Sequence, residues 1–318
     1  MGHPKGDVTA APVHGRTLHV LTGCTAVGKT EWALRWAEAN SAEIISCDSL
    51  LFYRGMDIGT AKPSAAELSR VRHHLIDIRD VSEPMNAAVY AAMALSAAEE
   101  ITSRGKAVLV VGGSGFYLRS FFAPVADGVV VPDAVREQVA AILDSRGLAA
   151  VVDELSTLNP AGLGALDIDN PRRVANALAR CIASGRTLAE LAEEFGKVPS
   201  AFAAWDVRLA RIDRGPADLD ARIEARVEAM LRDGLVDEVR RLAAAGLASN
   251  RSAARAIGYR ETLDVIEGKS PPQTLGAMIA KDTRALVKKQ RTWFRTQLPA
   301  HPVTDASALT DPAALFLG

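Results

Sequence analysis

Cysteine is scarce in this chain, and the three that occur, Cys24, Cys47 and Cys181, are odd in number and widely spaced. That excludes a disulfide framework and a paired zinc-ligand pattern, and it fits a reducing cytoplasm. Long apolar runs are also missing: no stretch approaches the roughly 18 residues that suggest a membrane span. Nor does one sign of charge dominate, since 37 Lys and Arg nearly balance 38 Asp and Glu. A formal net charge of -1 gives no global attraction to nucleic acid, so any RNA-binding surface must be local. The first 16 residues are polar and rich in Gly, Pro and His, with no apolar signal segment, and are expected to be a disordered lead-in. What the chain does have is 48% hydrophobic residues over 318 positions, enough for a sizeable core.

Short apolar runs that end at glycine or at polar residues mark the first strands: Leu18 to Thr22, Glu43 to Cys47, and Ala107 to Val111 before Gly112-Gly113. Such runs suit parallel strands buried on both faces. Helical patterns from Glu31 to Asn40 and from Asn86 to Arg104 lie between them. Alternation of this kind predicts an α/β doubly wound parallel sheet of the P-loop type. After Phe122 the texture changes, and residues 124–204 read as short helices punctuated by Gly147, Pro160, Pro171 and Gly185, a helical insertion. The core is expected over 17–123 and again over 205–318, with Val207 to Ile212 returning to the sheet and amphipathic helices from Asp218 to Ala245 and from Gln273 to Gln297.

Gly23, Cys24, Thr25, Ala26, Val27, Gly28, Lys29 and Thr30 match the Walker A pattern in full, between a strand and a helix. Glycines let successive backbone N–H groups curl around phosphate oxygens, and the following helix adds its positive end. Lys29 can reach terminal phosphate oxygens, and the Thr30 hydroxyl can ligate Mg²⁺. A kinase or switch GTPase would carry an aspartate on a neighbouring strand to hold that metal. The strand ending at Val111 is followed by glycines instead, and Leu75-Ile76-Asp77 is a weaker substitute with an apolar lead of two residues. An ATP-binding P-loop kinase therefore stays open as an alternative. Asp48 and Ser49 follow the second strand directly, where carboxyl strand ends line the ligand crevice of a doubly wound sheet. From position alone Asp48 can equally cap a turn.

Along the late helix, Lys281, Arg284, Lys288, Arg291 and Arg295 recur at steps of three and four, so they share one face, with Lys289 beside them. That face is either a track for an RNA backbone or an ordinary solvated surface. Trp293 and Phe294 read as core rather than as a base-stacking platform. Adjacent His73 and His74 point to opposite sides in an extended segment and cannot share one metal. Cys24 and Cys47 read as small packing residues.

Longer motifs go further. The run Asp48-Ser-Leu-Leu-Phe-Tyr-Arg-Gly-Met-Asp-Ile-Gly-Thr-Ala-Lys-Pro63, together with the P-loop, resembles the tRNA dimethylallyltransferase family. The resemblance continues in order through His73-His74-Leu-Ile-Asp77, Val111-Gly-Gly-Ser-Gly-Phe-Tyr-Leu118, Asp169-Asn-Pro-Arg-Arg173, Ala256-Ile-Gly-Tyr-Arg-Glu261 and Lys289-Gln-Arg-Thr-Trp-Phe294. It implies transfer of a dimethylallyl group from dimethylallyl diphosphate to N6 of the adenosine 3′-adjacent to the anticodon, with Mg²⁺, in the cytoplasm. Carried over residue by residue, Thr25 to Thr30 would hold the diphosphate, Lys29 would stabilise the leaving group, and Asp48 would be the general base. Ser49, Leu50 and Leu51 would lie near the adenosine, and Ser114, where the family usually has Thr, would contact it. Arg136 and the stretch Arg172, Arg173, Val174, Ala175 and Asn176 would touch the anticodon stem-loop from the insertion; if the basic face of the late helix tracks RNA, Arg284 and Lys288 would touch it as well. Asn176 stands where the family commonly has Arg, and Cys24 where it commonly has Pro. A monomer without membrane attachment is expected. The alternative within the fold is a prenyltransferase acting on free adenylate.

Overall fold

The computed structural model describes residues 16–316, so the expectation of a disordered lead-in lies outside the described residues. Six strands form one all-parallel sheet: β1 Arg16–Thr22, β2 Ala42–Ser46, β3 His73–His74, β4 Ala107–Gly112, β5 Trp205–Asp213 and β6 Val303–Asp305, in the order β3-β2-β4-β1-β5-β6. The order reverses around β1, with β2, β3 and β4 on one side and β5 and β6 on the other. That reversal is the switch point at which doubly wound sheets bind ligands beyond their carboxyl ends. All five residues of β2 are buried, as are Leu18, Val20, Leu21 and Thr22 of β1 and Val108 to Val110 of β4.

In the first half of the core the helices are α1 Lys29–Ala39, α2 Ala65–Arg70, α3 Ala87–Ser103 and the short α4 Gly115–Leu118. The insertion carries α5 Asp133–Leu158, α6 Pro171–Ser184 and α7 Leu188–Lys197. The core resumes with α8 Pro216–Arg232, α9 Leu235–Ala244, α10 Arg251–Ala254, α11 Tyr259–Ile266 and α12 Leu275–Gln297. Three starts follow directly from side-chain chemistry. Asn86 Oδ1 accepts from Val89 N at 2.9 Å to open α3, Ser64 and Glu67 form a capping box on α2, and Asn170 accepts from Arg173 N at 3.2 Å just before Pro171 opens α6. The Asp-Asn-Pro-Arg-Arg motif is thus a helix start. No described helix is long and apolar enough to cross a membrane.

The insertion is a compact unit, Ala123–Ser200, with its own buried cluster of Val139, Val151, Leu155, Val174, Leu178 and Cys181. Its expected end at 204 moves back because Phe202 is a core residue, stacked 4.6 Å from Phe121 and 6.2 Å from Trp205. The strands β3 and β6 are absent from the sequence reading. They contain two and three residues, too few to show a period. The stretch expected as helical from Asp218 to Ala245 breaks at Gly234, whose φ of 99° ends α8 and opens α9.

Candidate active site

The P-loop leaves β1 at Thr22 and enters α1 at Lys29 through Gly28, whose φ of 92° only glycine adopts without strain. Cations occupy the loop's outward carbonyls. Lys29 Nζ donates to Gly23 O at 2.9 Å and Cys24 O at 2.7 Å, Arg222 Nε to Ala26 O at 2.8 Å, and Arg214 Nε to Val27 O at 2.8 Å. Loss of solvation pushes the Lys29 ammonium down to about 8, opposed by the negative charge of Asp48. Arg226 is likewise lowered by burial and raised by Asp48. Three cationic side chains, Lys29, Arg222 and Arg226, line a cavity of about 580 Å³ together with Thr25, Thr30 and Asp48. Glu31 and Glu67 line the same cavity, so its capacity to hold a phosphate comes from the P-loop and these three cations rather than from the cavity's net charge.

One wall of that cavity is the loop 57–63, and its position is imposed from α9. The carboxylate of Glu238, 1% exposed, accepts from the N–H groups of Asp57 at 3.1 Å, Ile58 at 2.7 Å and Gly59 at 3.1 Å. Tyr259 Oη also donates to it at 2.7 Å. A buried carboxylate with four donors is fully compensated, so it fixes the loop rather than straining it. Arg226 Nη2 then donates to Thr60 O at 2.8 Å, tying the wall to α8.

Asp48 leaves the end of β2 beside Gly112 at the end of β4. A Cβ on Gly112 would lie 2.0 Å from Cys47 O, so only glycine lets the two strand ends approach so closely. Asp48 fills both roles considered for it. Its Oδ1 accepts from Leu50 N at 3.0 Å in a turn, and its side chain faces the P-loop cavity. It also lines a second cavity of about 560 Å³ with Ser49, Leu50, Ser114, Arg255, Lys289 and Trp293. The two cavities meet at Thr25, Asp48, Thr60, Gly113, Arg226 and Gln290. Gln290 bridges them: its Oε1 accepts from Thr25 N at 3.0 Å and its Nε2 donates to Gly113 O at 3.0 Å.

The wall built from the Asp57-to-Pro63 motif, the Glu238 that holds it and the bridging Gln290 all fall within residues 51–297, which match a family model described as IPP transferase. The chain belongs to the IPP transferase family. It is 63% identical over 309 residues to a tRNA dimethylallyltransferase of Opitutus terrae, covering 97% of this chain and 99% of that one. A tRNA dimethylallyltransferase of Sorangium cellulosum is 36% identical, covering 94% and 93%. Among solved structures, the full-length tRNA isopentenylpyrophosphate transferase of Bacillus halodurans superposes with a TM-score of 0.66 at 31% identity, covering 92% and 90%.

Within this candidate site the residues read from the sequence separate into groups. Thr25, Ala26, Gly28, Lys29 and Thr30 line the P-loop cavity, whereas Cys24 and Val27 are buried in the core, with Cys24 Sγ donating weakly to Val287 O at 3.8 Å. Ser49, Leu50 and Ser114 line the second cavity, but Leu51 faces the P-loop side. Asp77 does not replace a strand-end acid. It lies in the turn after β3, paired with Lys62, while its backbone carbonyl accepts from Arg54 at 2.9 Å. His73 and His74 are extended as expected, and His74 Nε2 meets Glu43 Oε2 at 2.7 Å.

On the insertion, Arg136, Arg172, Arg173 and Asn176 are exposed and Ala175 is half-buried. Val174 is 0% exposed in the insertion's core, unlike the arginines beside it. The basic face of α12 is also less free than its spacing implied. Arg284 is held by Asp220 at 2.6 Å and Glu224 at 2.7 Å, and Arg291 by Asp213 at 2.7 Å. Among the described residues Lys281, Lys288 and Arg295 form no ion pair, nor does Lys289. Phe294 is core at 0% exposure, while Trp293 is half-buried and lines the second cavity.

Sequence reasoning missed Arg214, Arg222, Arg226, Glu238 and Gln290. Arg222 and Arg226 stand four apart on α8, a spacing that was available. What it needed was knowledge of the partner face.

No cluster of three or more His, Cys, Asp and Glu able to hold a metal occurs among the described residues. Thr30 and Asp48 both line the P-loop cavity. That sparse donor set fits magnesium, which keeps several waters and is bound through one or two protein oxygens plus substrate phosphates.

Proposed function

We propose that this chain transfers a dimethylallyl group from dimethylallyl diphosphate to N6 of the adenosine 3′-adjacent to the anticodon of a tRNA, releasing diphosphate. The activity is that of a tRNA dimethylallyltransferase. The observation that carries the reading is the meeting of the two cavities at Asp48, with phosphate-gripping groups on one side and hydroxyls, an indole and unpaired cations on the other.

The exocyclic amine of adenine is a poor nucleophile because its lone pair is delocalised into the ring, so the site must help at both ends of the reaction. On the P-loop side, Lys29, Arg222, Arg226 and the loop amides stabilise the charge that develops as the allylic C–O bond breaks. Magnesium bound with the diphosphate, near the Thr30 hydroxyl, would add Lewis-acid stabilisation of the same charge. On the other side, the C–N bond forms and Asp48 accepts the proton leaving N6. Asp48 Oδ1 is tethered by Leu50 N, so the carboxylate is oriented before substrate arrives. Ser114 at the end of β4 faces the same cavity and supplies a hydroxyl to the base. An unpaired anticodon loop lets the target base leave its stack at a cost of a few kcal/mol. We read the protein as acting in the cytoplasm, a reading supported by three buried free thiols.

The test is to incubate the protein with dimethylallyl diphosphate, Mg²⁺ and either unmodified tRNA or AMP, and to weigh the products. Prenylated tRNA with unmodified AMP is the expected result. Prenylated AMP with untouched tRNA would contradict the reading.

A further inference from the structure

Among the described residues, Phe116 is the only aromatic side chain in the set of exposed large hydrophobics, at 76% exposure. Of the other aromatic side chains near it, Phe52, Tyr90 and Phe121 are at most 2% exposed and Tyr117 is at 8%, while Trp293 is half-buried. Phe116 is therefore not a failure of the local core to grow, because its neighbours on both sides are anchored. Tyr117 and Leu118 point inward, and Tyr117 stacks 4.7 Å from Tyr90. Gly115 lies flat on the indole of Trp293, where a Cβ would come within 2.6 Å of the ring. The backbone is fixed and the phenyl ring is left in water. Leaving that much apolar surface exposed is unfavourable unless something covers it.

Its surroundings say what that is. Phe116 lines the second cavity two residues after Ser114, in company with Lys289 and Arg255. Both cations are exposed, and neither forms an ion pair among the described residues. An aromatic plane flanked by free cations and a hydroxyl is the combination with which proteins hold unpaired RNA, stacking a splayed base while cations meet its phosphates.

Building on the function proposed above, we propose that Phe116 is a stacking platform for the nucleobase next to the reacting adenosine. When the adenosine leaves the loop to reach Asp48, the neighbouring base loses a stacking partner, and the phenyl ring replaces it. The same contact sets the depth to which the loop enters the cavity, so Phe116 positions the substrate without touching the reacting atoms.

The experiment uses a synthetic anticodon stem-loop with 2-aminopurine at the position flanking the target adenosine, the full chain, and the variants Phe116→Ala and Phe116→Trp. Loss of one base–aromatic stack predicts that Phe116→Ala lowers kcat/KM for the stem-loop by on the order of ten- to a hundredfold. The 2-aminopurine signal change seen with the wild type should also be lost. Phe116→Trp should restore both, and the Kd for dimethylallyl diphosphate should be the same in all three proteins. Wild-type kcat/KM in Phe116→Ala overturns the platform, as does an equal loss of donor binding, which would mean that the residue acts through the fold. If the wild-type protein gives no prenylated RNA, the parent reading fails and this one with it. Normal wild-type turnover matched by Phe116→Ala overturns this inference alone.

Discussion

The cations around the P-loop and the cations along α12 belong to the same compact unit, yet they are bonded to different kinds of partner. Lys29, Arg222 and Arg226 donate to backbone carbonyls, which are neutral, so their charge remains directed at the cavity they line. Arg284 and Arg291 donate to carboxylates of Asp220, Glu224 and Asp213, so their charge is cancelled locally. A cation fixed by a carbonyl is available to an incoming phosphate, whereas one fixed by a carboxylate is mostly structural. Counting basic residues on a face therefore overstates its pull on RNA. What they are bonded to decides it.

The sharpest way to break that contrast is at Lys29. Replacing it with Ala removes a donor that acts on developing charge, and turnover should fall by about 10²–10³ while stem-loop affinity holds, checked by steady-state rates and filter binding. A loss confined to stem-loop binding would put Lys29 on the wrong side of Asp48. Smaller, but specific in sign, is the pH dependence of donor binding. Burial lowers the Lys29 pKa to about 8 from 10.5, so the folded chain holds that proton less tightly than the unfolded one. The charged form grips diphosphate, so donor affinity is full below pH 8 and weakens by about tenfold per unit above it. The stability of the ligand-free protein runs the other way between those two values, rising with pH as the penalty for a buried ammonium is relieved. Calorimetry in buffers of different ionisation enthalpy should show proton uptake on donor binding near pH 8, absent in Lys29→Ala.

The smallest effects belong to α12. Lys288→Glu should lower the magnitude of the salt-dependence slope of tRNA binding by about 1 or slightly more. Arg284→Ala should change that slope by clearly less, because its charge is already neutralised. Equal slopes for the two variants would erase the distinction between free and paired cations. Reversing both together should flatten the salt dependence, with Lys288 responsible for most of the change.

The P-loop was legible in the sequence because its requirements are local: Gly28 must adopt a positive φ, and Lys29 and Thr30 follow it by covalent necessity. Asp48 was legible as a strand-end residue, and the Gly112-Gly113 pair as a strand terminus, although not the close approach to Cys47 that requires Gly112. The strands β3 and β6 were not, since neither is long enough to show alternation. The burial of Val174 is legible in the sequence: with Ala177, Leu178 and Cys181 it forms an i, i+3, i+4, i+7 apolar stripe, the signature of a buried helix face. The Glu238 clamp lay beyond the sequence because it joins residues about 180 positions apart, with no local pattern at either end.

Asp48, where the two cavities meet, is the residue on which both halves of the reaction depend. With donor and tRNA both saturating, the single-turnover rate of Asp48→Ala should fall by about 10²–10⁴ while both substrates still bind, because the proton leaving N6 has lost its acceptor. A near-wild-type single-turnover rate in that variant would contradict the assignment of Asp48 as the base and, with it, the reading of the two cavities as one reaction site.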